Sequence, residues 1–120
     1  MTSRQMATIN INDFFFDRAY VKPRWQYIYV VKCNEFYKIG YSSNVVSRLN
    51  SLQNGNPYPL QLILVRKLPE AKYFESVLHE VYKDFRIRRE WFQIGLEDMN
   101  RLIKTITATS IDLELKCLPR

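Results

Sequence analysis

The sequence predicts a small α+β domain, in which a three-stranded, antiparallel-type sheet is flanked by helices in the order β-β-α-β-α-(β)-α. Two runs of aromatic and β-branched residues separated by a short polar segment predict a hairpin. In three later stretches, apolar residues recur every three or four positions, which predicts helices. The chain of 120 residues is 47% apolar and 25% charged, so it is long enough for one compact domain and too apolar for wholesale disorder.

The hairpin and the first helix are predicted over the first half of the chain. Residues 27–31 and 36–41 form its two strands, and the polar residues 32–35 form its turn. Residues 42–44 (Ser-Ser-Asn) supply N-cap candidates, and Asn-Gly-Asn-Pro over residues 54–57 ends the helix. The apolar positions of this helix are Val45, Val46, Leu49 and Leu52.

The second half of the chain predicts one more strand and two helices. Residues 60–65 read as a buried third strand, and Pro69 with Glu70 begins the second helix. Residues 86–89 form a basic exit from that helix, and residues 90–94 a short extended piece. The apolar stripe of the second helix is Ala71, Phe74, Leu78, Val81 and Phe85, and the inward residues of the third helix, over 96–106, are Leu96, Met99, Leu102, Ile103 and Ile106.

The chain is predicted to consist of three segments: an N-terminal arm over 1–25, a domain over 26–108, and a C-terminal tail or short strand over 109–120. Three consecutive Phe residues at 14–16 are expected to pack onto the domain, because an exposed aromatic cluster promotes aggregation. The alternative is that this cluster anchors a partner or a second copy, so that the arm would join a homodimer.

Charge and missing motifs narrow the class of function. A net charge of +6 is compatible with binding to nucleic acid. No segment is long and apolar enough to cross a bilayer and no leader opens the chain, so we expect a soluble, intracellular protein of the cytoplasm or of the nucleoid or nucleus. Cys33 and Cys117 predict two free thiols rather than a disulfide framework or a zinc site. Phosphate-loop, dinucleotide and serine-hydrolase motifs are absent, so no small-molecule cofactor is expected.

Two side-chain groups on the predicted helices could carry chemistry. Glu75 and His79 are four residues apart and share one face of the second helix, which suits a metal ligand or a general acid or base, or alternatively a surface Glu–His pair. Arg48 lies at the border of the buried face of the first helix. Its guanidinium could bind a phosphate, or its stem could cover the core.

Taken together in this order, five pieces of the chain resemble the GIY-YIG nuclease superfamily, and within it the phage-type DNA-binding branch. The resemblance covers about residues 26–106. The pieces are Tyr27-Ile28-Tyr29, Lys38-Ile39-Gly40, Arg48, Glu75 with His79, and Glu90-Trp91-Phe92.

The resemblance implies a metal-dependent endonuclease that cuts or nicks DNA. In that case Tyr29 would activate or position the attacking water, and Arg48 would hold the scissile phosphate. Glu75 would bind Mg²⁺ or Mn²⁺, for which one carboxylate can suffice if DNA and water complete the shell. Gly40 would let the backbone pass close to its neighbours. His79 belongs to the pattern of the branch.

Three positions depart from or extend that pattern. Tyr27 stands where the first motif has glycine, and Lys38 stands where the second motif has tyrosine, with Tyr37 next to it on the other face of the strand. Lys38 could supply the cation that Tyr29 needs to act as a base, or be a base itself. Glu90 is expected to orient Arg48 or His79.

Three functions therefore follow as hypotheses: a DNA endonuclease, a DNA-binding module of the same fold without turnover, and an interaction protein that docks through its aromatic arm. If DNA is bound, phosphate contacts should dominate and sequence preference should be weak. The basic residues expected to contact DNA are Lys38, Arg48, Lys72, Arg86, Arg88 and Arg89.

Overall fold

The computed structural model describes residues 24–109, which fall into two compact units. The unit over Trp25–Gly95 holds a five-stranded sheet and two helices, and the other holds the last helix. In chain order the elements are β1 (Trp25–Cys33), β2 (Phe36–Ser42), α1 (Val45–Asn54), β3 (Gln61–Pro69), α2 (Ala71–Val81), a 3₁₀ turn (Lys83–Phe85), β4 (Arg86–Arg88), β5 (Trp91–Phe92) and α3 (Leu96–Ala108). The α+β class with an antiparallel sheet and helices is confirmed.

The sheet has the strand order β3-β1-β2-β5-β4, and all its neighbouring strands are antiparallel. The predicted hairpin is its centre: β1 pairs with β2, and Tyr29 lies opposite Gly40. Ile28, Tyr29, Val30 and Val31 are all buried, since β1 has a neighbouring strand on each side and both of its faces are covered.

The sheet has two strands more than the three predicted, because β4 and β5 extend it beyond β2; β5 lies within residues 90–94, which were predicted as a short extended piece. The three residues of β4 and the two of β5 are too few to show an alternating pattern, and all three residues of β4 are exposed. The prediction that the third strand is buried is wrong. β3 is an edge strand that pairs only with β1 within the described chain, and Leu62 is 44% exposed. Its buried part is the C-terminal end, at Leu68 and Pro69.

Both helices of the sheet unit follow strand ends. Asn44 caps α1, as its side-chain oxygen accepts a hydrogen bond from the Ser47 amide at 3.0 Å. None of the α1 residues is fully buried, so this helix lies at the surface. α2 begins at Ala71, later than predicted: Pro69 ends β3, and Glu70 is the N-cap residue, with a left-handed φ of 54°. The buried residues of α2 are Ala71, Phe74, Glu75 and Leu78.

α3 buries Met99, Leu102 and Ile106, as its spacing predicts. Leu96 is 76% exposed, which contradicts its prediction as an inward residue. Because helical side chains lean towards the N-terminus, the side chain of a first helical residue extends past the end of the helix. Thr105 is buried instead, and its hydroxyl donates a hydrogen bond to the Arg101 carbonyl at 2.9 Å.

Two predictions lie outside the described residues. The Phe cluster of the arm, with the homodimer it would support, falls within residues 1–23, and all but the first residue of the C-terminal tail or short strand predicted over 109–120 falls within residues 110–120. Among residues 24–109, none of the helices has the length and apolar character needed to span a membrane.

Candidate active site

A cleft of about 390 Å³ opens beside the central hairpin. Strand β1 contributes Tyr29, α1 contributes Arg48, α2 contributes Glu75, and the turn before β5 contributes Glu90. These four residues are far apart in sequence, and they meet because β1 and β2 form the centre of the sheet. The full lining is Gln26, Tyr29, Tyr41, Ser42, Ser43, Arg48, Glu75 and Glu90.

The Tyr29 ring lies directly over Gly40 of the neighbouring strand. A Cβ at position 40 would be 2.5 Å from the Tyr29 hydroxyl oxygen and 2.6 Å from the ring carbon that bears it. Both separations are far below van der Waals contact. Gly40 has no positive φ, so glycine is needed here for the close approach of the ring and not for an unusual backbone conformation.

Arg48 is the cation beside the Tyr29 hydroxyl. Its Nε donates a hydrogen bond to Tyr29 Oη at 3.4 Å. Burial raises the pKa of the Tyr29 phenol, and the hydrogen bond and charge of Arg48 only partly offset that rise. The bond to Tyr29 in turn raises the pKa of the Arg48 guanidinium. Tyr29 is therefore a neutral phenol near pH 7, and Arg48 is a fixed positive charge at the mouth of the cleft.

Glu75 places a carboxyl group in this cleft although the residue is only 8% exposed. Burial, with repulsion from Glu90, raises the pKa of Glu75 to about 7, against the opposing charges of Lys38 and Lys72. Within residues 24–109, the carboxylate of Glu75 has no hydrogen bond or ion pair. The Glu75 side chain is thus a buried carboxyl group that can bind either a proton or a cation.

Lys38 and Glu90 form an ion pair beside Glu75. Burial favours the neutral form of Glu90, but the hydrogen bond and charge of Lys38 outweigh it and hold the pKa of Glu90 below its ordinary value. The Lys38 ammonium also lies 5.7 Å from the centre of the Trp91 ring, its cross-strand neighbour. Lys38 therefore fixes the Glu90 carboxylate, whereas we expected Glu90 to orient Arg48 or His79.

His79 lies on α2, one turn beyond Glu75, and contacts the backbone of β2. Its Nε2 is 2.8 Å from the Ile39 carbonyl oxygen and donates to it, since a carbonyl only accepts. Burial lowers the pKa of His79 despite this bond, so the ring is neutral near pH 7. The ring also packs edge-on against Phe92 at 5.1 Å. His79 thus ties α2 to the strand that carries Gly40, and it does not line the cleft.

The other expected site residues lie away from the cleft lining. Tyr27 and Tyr37 each have a lysine near the ring, Lys67 at 6.0 Å and Lys32 at 5.8 Å. Lys72 lies in the first turn of α2, where its charge acts on Glu75. The remaining basic residues are exposed along β4 and the turn that follows it: Arg86, Arg88 and Arg89.

Four cleft residues were not predicted from the sequence as part of a site. Gln26 precedes the first motif, and the other three follow Gly40: Tyr41, Ser42 and Ser43. Ser42 and Ser43 looked like cap candidates only, and the Ser42 hydroxyl does accept a hydrogen bond from the Asn44 amide at 3.0 Å. Their position between Gly40 and the start of α1 is the one signal in the sequence that could have found them.

A family model, the T5orf172 domain, matches residues 26–107, most of the chain. The chain belongs to the T5orf172 domain family. This family is nuclease-like and DNA-binding, which is consistent with a DNA-related function. Searches of curated proteins and of solved structures found no match.

The match corrects the resemblance drawn from the sequence. The assignment to the GIY-YIG nuclease superfamily is wrong, because the family found is the T5orf172 domain and no GIY-YIG family matches. The motif pieces that suggested it are short, and each occurs in many proteins. The geometry of the cleft comes from the structure and does not depend on the assignment to the GIY-YIG superfamily.

Proposed function

We propose that this T5orf172 domain binds DNA phosphate in the cleft of Tyr29, Arg48, Glu75 and Glu90, and hydrolyses or nicks a phosphodiester bond there with the help of Mg²⁺ or Mn²⁺. The observation that carries the proposal is the combination of a fixed guanidinium with a buried, unpaired carboxylate in one cleft. A guanidinium binds the phosphate, and a carboxylate binds the hard cation that phosphate chemistry commonly uses.

The donor set fits a divalent ion. Glu75 and Glu90 are carboxylates that face the same cleft and repel each other, so a cation between them would be stabilised. Mg²⁺ often takes only one or two protein carboxylates, with water and phosphate completing its shell. Glu75 would be the principal ligand, since Glu90 is already paired with Lys38. Such an ion would supply Lewis-acid stabilisation of the phosphate and a more acidic bound water.

Arg48 and Tyr29 would act on the substrate directly. Arg48 would bind a non-bridging phosphate oxygen and stabilise the negative charge that grows in the transition state. Tyr29 would orient the attacking water through its hydroxyl, because a phenol with a raised pKa is a poor base at neutral pH. The bond from Arg48 to Tyr29 keeps both groups in one arrangement.

Lys38 and His79 would be positioning residues. Lys38 holds the Glu90 carboxylate at the edge of the cleft. His79 holds Ile39, and with it the strand segment that places Gly40 under the Tyr29 ring. Neither needs to touch the substrate for its loss to reduce activity.

The test is a supercoiled-plasmid assay at low salt with Mg²⁺, Mn²⁺ or EDTA. We expect nicked circles to form with the metals and not with EDTA. Glu75→Gln should abolish nicking, whereas Glu80→Gln, on the exposed side of the same helix, should not change it. Nicking that persists in EDTA, or in Glu75→Gln, would contradict the proposal.

A DNA-binding module without turnover is the second candidate. It is favoured by the pairing of Glu90 with Lys38, which already neutralises one of the two carboxylates that face the cleft. In that case the plasmid stays intact with every metal. Wild type and Glu75→Gln would then bind DNA equally, with affinity that falls steeply as salt rises.

A further inference from the structure

A second groove, of about 400 Å³, lies on the same unit as the cleft and plays no part in the chemistry described above. The turn of the central hairpin, the loop after α1, and strands β4 and β5 form its walls. Its most exposed aromatic wall is Tyr58, and its basic wall is Arg88. The lining residues that matter here are Asn34, Tyr58, Ile87, Arg88 and Trp91.

The groove exposes apolar and aromatic surface that the fold does not need to expose. Tyr58 is 54% exposed, and Ile87 is also exposed. Trp91, half-buried, forms a further flat wall. Contiguous exposed apolar surface of this kind commonly marks a binding site, and a cavity of this volume is in the range of ligand pockets.

The loop that presents Tyr58 is held by its own hydrogen bonds. The side-chain amide of Gln53 donates to the Tyr58 carbonyl at 3.0 Å and accepts from the Leu60 amide at 2.9 Å. Asn56 accepts from the Tyr58 amide at 3.0 Å, and its own amide donates to the buried Cys33 sulfur at 3.3 Å. The backbone of Tyr58 is therefore fixed before any ligand arrives, which lowers the entropic cost of binding.

The charge beside this aromatic surface is positive. Arg88 lies across from Trp91 in the β4–β5 pair and is exposed, and Arg89 follows it in the turn. The linings of the cleft and the groove include consecutive residues, Glu90 in the cleft and Trp91 in the groove. An aromatic wall next to a guanidinium is the combination that binds a nucleotide: the ring stacks on the base and the cation binds its phosphate.

We propose that this groove holds an unpaired base of the bound DNA, stacked on Tyr58 and beside Trp91, with an adjacent phosphate at Arg88. A base inside a duplex is covered on both faces by its neighbours, so only a base outside the stack can use such a wall. The preferred substrate is then DNA with a single-stranded extension, gap or flap next to the cleaved bond. This inference rests on the proposed function, since it takes DNA as the partner.

The test compares two DNA hairpins by fluorescence anisotropy in EDTA, so that no metal-dependent cleavage occurs. Both carry a three-nucleotide single-stranded extension, which is abasic in one of them. We expect about tenfold tighter binding to the extension that carries bases, the effect typical of one stacked base. Tyr58→Ala should remove this preference, and Tyr73→Ala, a control at a tyrosine that is 51% exposed on α2, should keep it.

Two further readouts address the phosphate and the stacking. Arg88→Gln should weaken binding to both hairpins and reduce the slope of log affinity against log salt by about 1. In a Trp25→Phe background, Trp91 is the remaining tryptophan, and its emission should be quenched by the base-bearing hairpin more than by the abasic one.

Equal affinity of the wild type for the two hairpins would overturn the inference, and so would a base preference that survives in Tyr58→Ala. If the groove binds a protein segment instead of a base, the two hairpins should likewise bind with equal affinity. If duplex DNA still binds in an Arg48-dependent manner, the assignment of the groove fails alone. If no DNA binds at any salt, the proposed function fails with it.

Discussion

The substitution Gly40→Ala should displace the Tyr29 ring and thereby change the geometry of the cleft that this ring lines. The added Cβ would lie 2.5 Å from the Tyr29 hydroxyl oxygen and 2.6 Å from the adjoining ring carbon. Tyr29 is buried in β1, an inner strand of the sheet, and its ring borders the cleft that it shares with Arg48. The ring must therefore shift, or β1 and β2 must separate, and either change moves the hydroxyl away from Arg48.

Overpacking of this kind costs about 1–3 kcal/mol of unfolding free energy. For a domain of this size each kcal/mol lowers the midpoint of thermal unfolding by about 4–8 °C, so we expect a drop of about 5–20 °C. Differential scanning calorimetry measures the drop. If the protein nicks plasmid DNA, the nicking rate of the folded variant should also fall by at least about tenfold, because misplacement of a positioned group is costly.

The two other glycines provide matched controls. A Cβ at Gly95 meets nothing within 4 Å, and one at Gly55 comes only to 4.0 Å from the Leu52 carbonyl oxygen. Gly95→Ala and Gly55→Ala should therefore leave the unfolding midpoint nearly unchanged. Tyr29→Phe should not rescue Gly40→Ala, since the ring carbon still clashes. A Gly40→Ala variant as stable as the two controls, or full rescue by Tyr29→Phe, would show that the Tyr29 ring does not require glycine at position 40.

The remaining predictions concern the charged groups of the cleft. The pKa of Glu75 is raised to about 7, so the folded protein holds this proton more tightly than the unfolded chain, and stability is lost as pH rises towards and through 7. The free energy of unfolding of Glu75→Gln, measured in urea, should therefore rise relative to that of the wild type by about 1–2 kcal/mol as the pH goes from 4 to 8, after allowance for partial solvent contact. Equal pH profiles for the two proteins would contradict this. Arg48→Lys keeps the charge but loses the Nε donor to Tyr29. Its DNA affinity, measured by gel shift, should stay within about threefold of the wild type, while its nicking rate falls at least about tenfold. Equal losses of affinity and of nicking rate would argue against a positioning role for that hydrogen bond. Lys38→Met leaves the Glu90 carboxylate unpaired and should lower the free energy of unfolding by about 1–3 kcal/mol. Combining Lys38→Met with Glu90→Gln should recover part of that loss. Strictly additive losses in the double variant would show that the two side chains are not coupled.

Most of the regular elements could be predicted from the sequence because their patterns are long. The hairpin is marked by two β-branched, aromatic runs, and α2 by an apolar stripe whose members Phe74 and Leu78 are buried. β4 could not be predicted, since its three residues carry no periodicity and are all exposed. β5 was predicted only as part of a short extended piece over residues 90–94, since two residues show no alternation. An apolar run also does not reveal whether a strand lies at an edge, which is why Leu62 is exposed against expectation.

Four of the eight residues that line the cleft, Tyr29, Arg48, Glu75 and Glu90, were singled out from the sequence, but their arrangement was not. Arg48 and Glu75 stand out because a polar group at the border of an apolar helix face needs a reason. The pairing of Lys38 with Glu90, 52 residues apart, depends on β5 lying beside β2, and nothing local in the sequence indicates it. The cation at the Tyr29 hydroxyl is Arg48, on α1, whereas the sequence suggested Lys38 on the adjoining strand.

The role of Glu75 as the ligand of a catalytic cation is tested by comparing the nicking rate of Glu75→Gln with its DNA affinity. Nicking would be measured in Mg²⁺ with protein in excess over plasmid, and affinity by gel shift in EDTA. We expect a rate at least about 100-fold below that of the wild type, because the carboxylate that holds the cation is lost, with DNA affinity preserved within about threefold. A rate equal to that of the wild type would contradict this role, since Glu75 would then have no part in the chemistry.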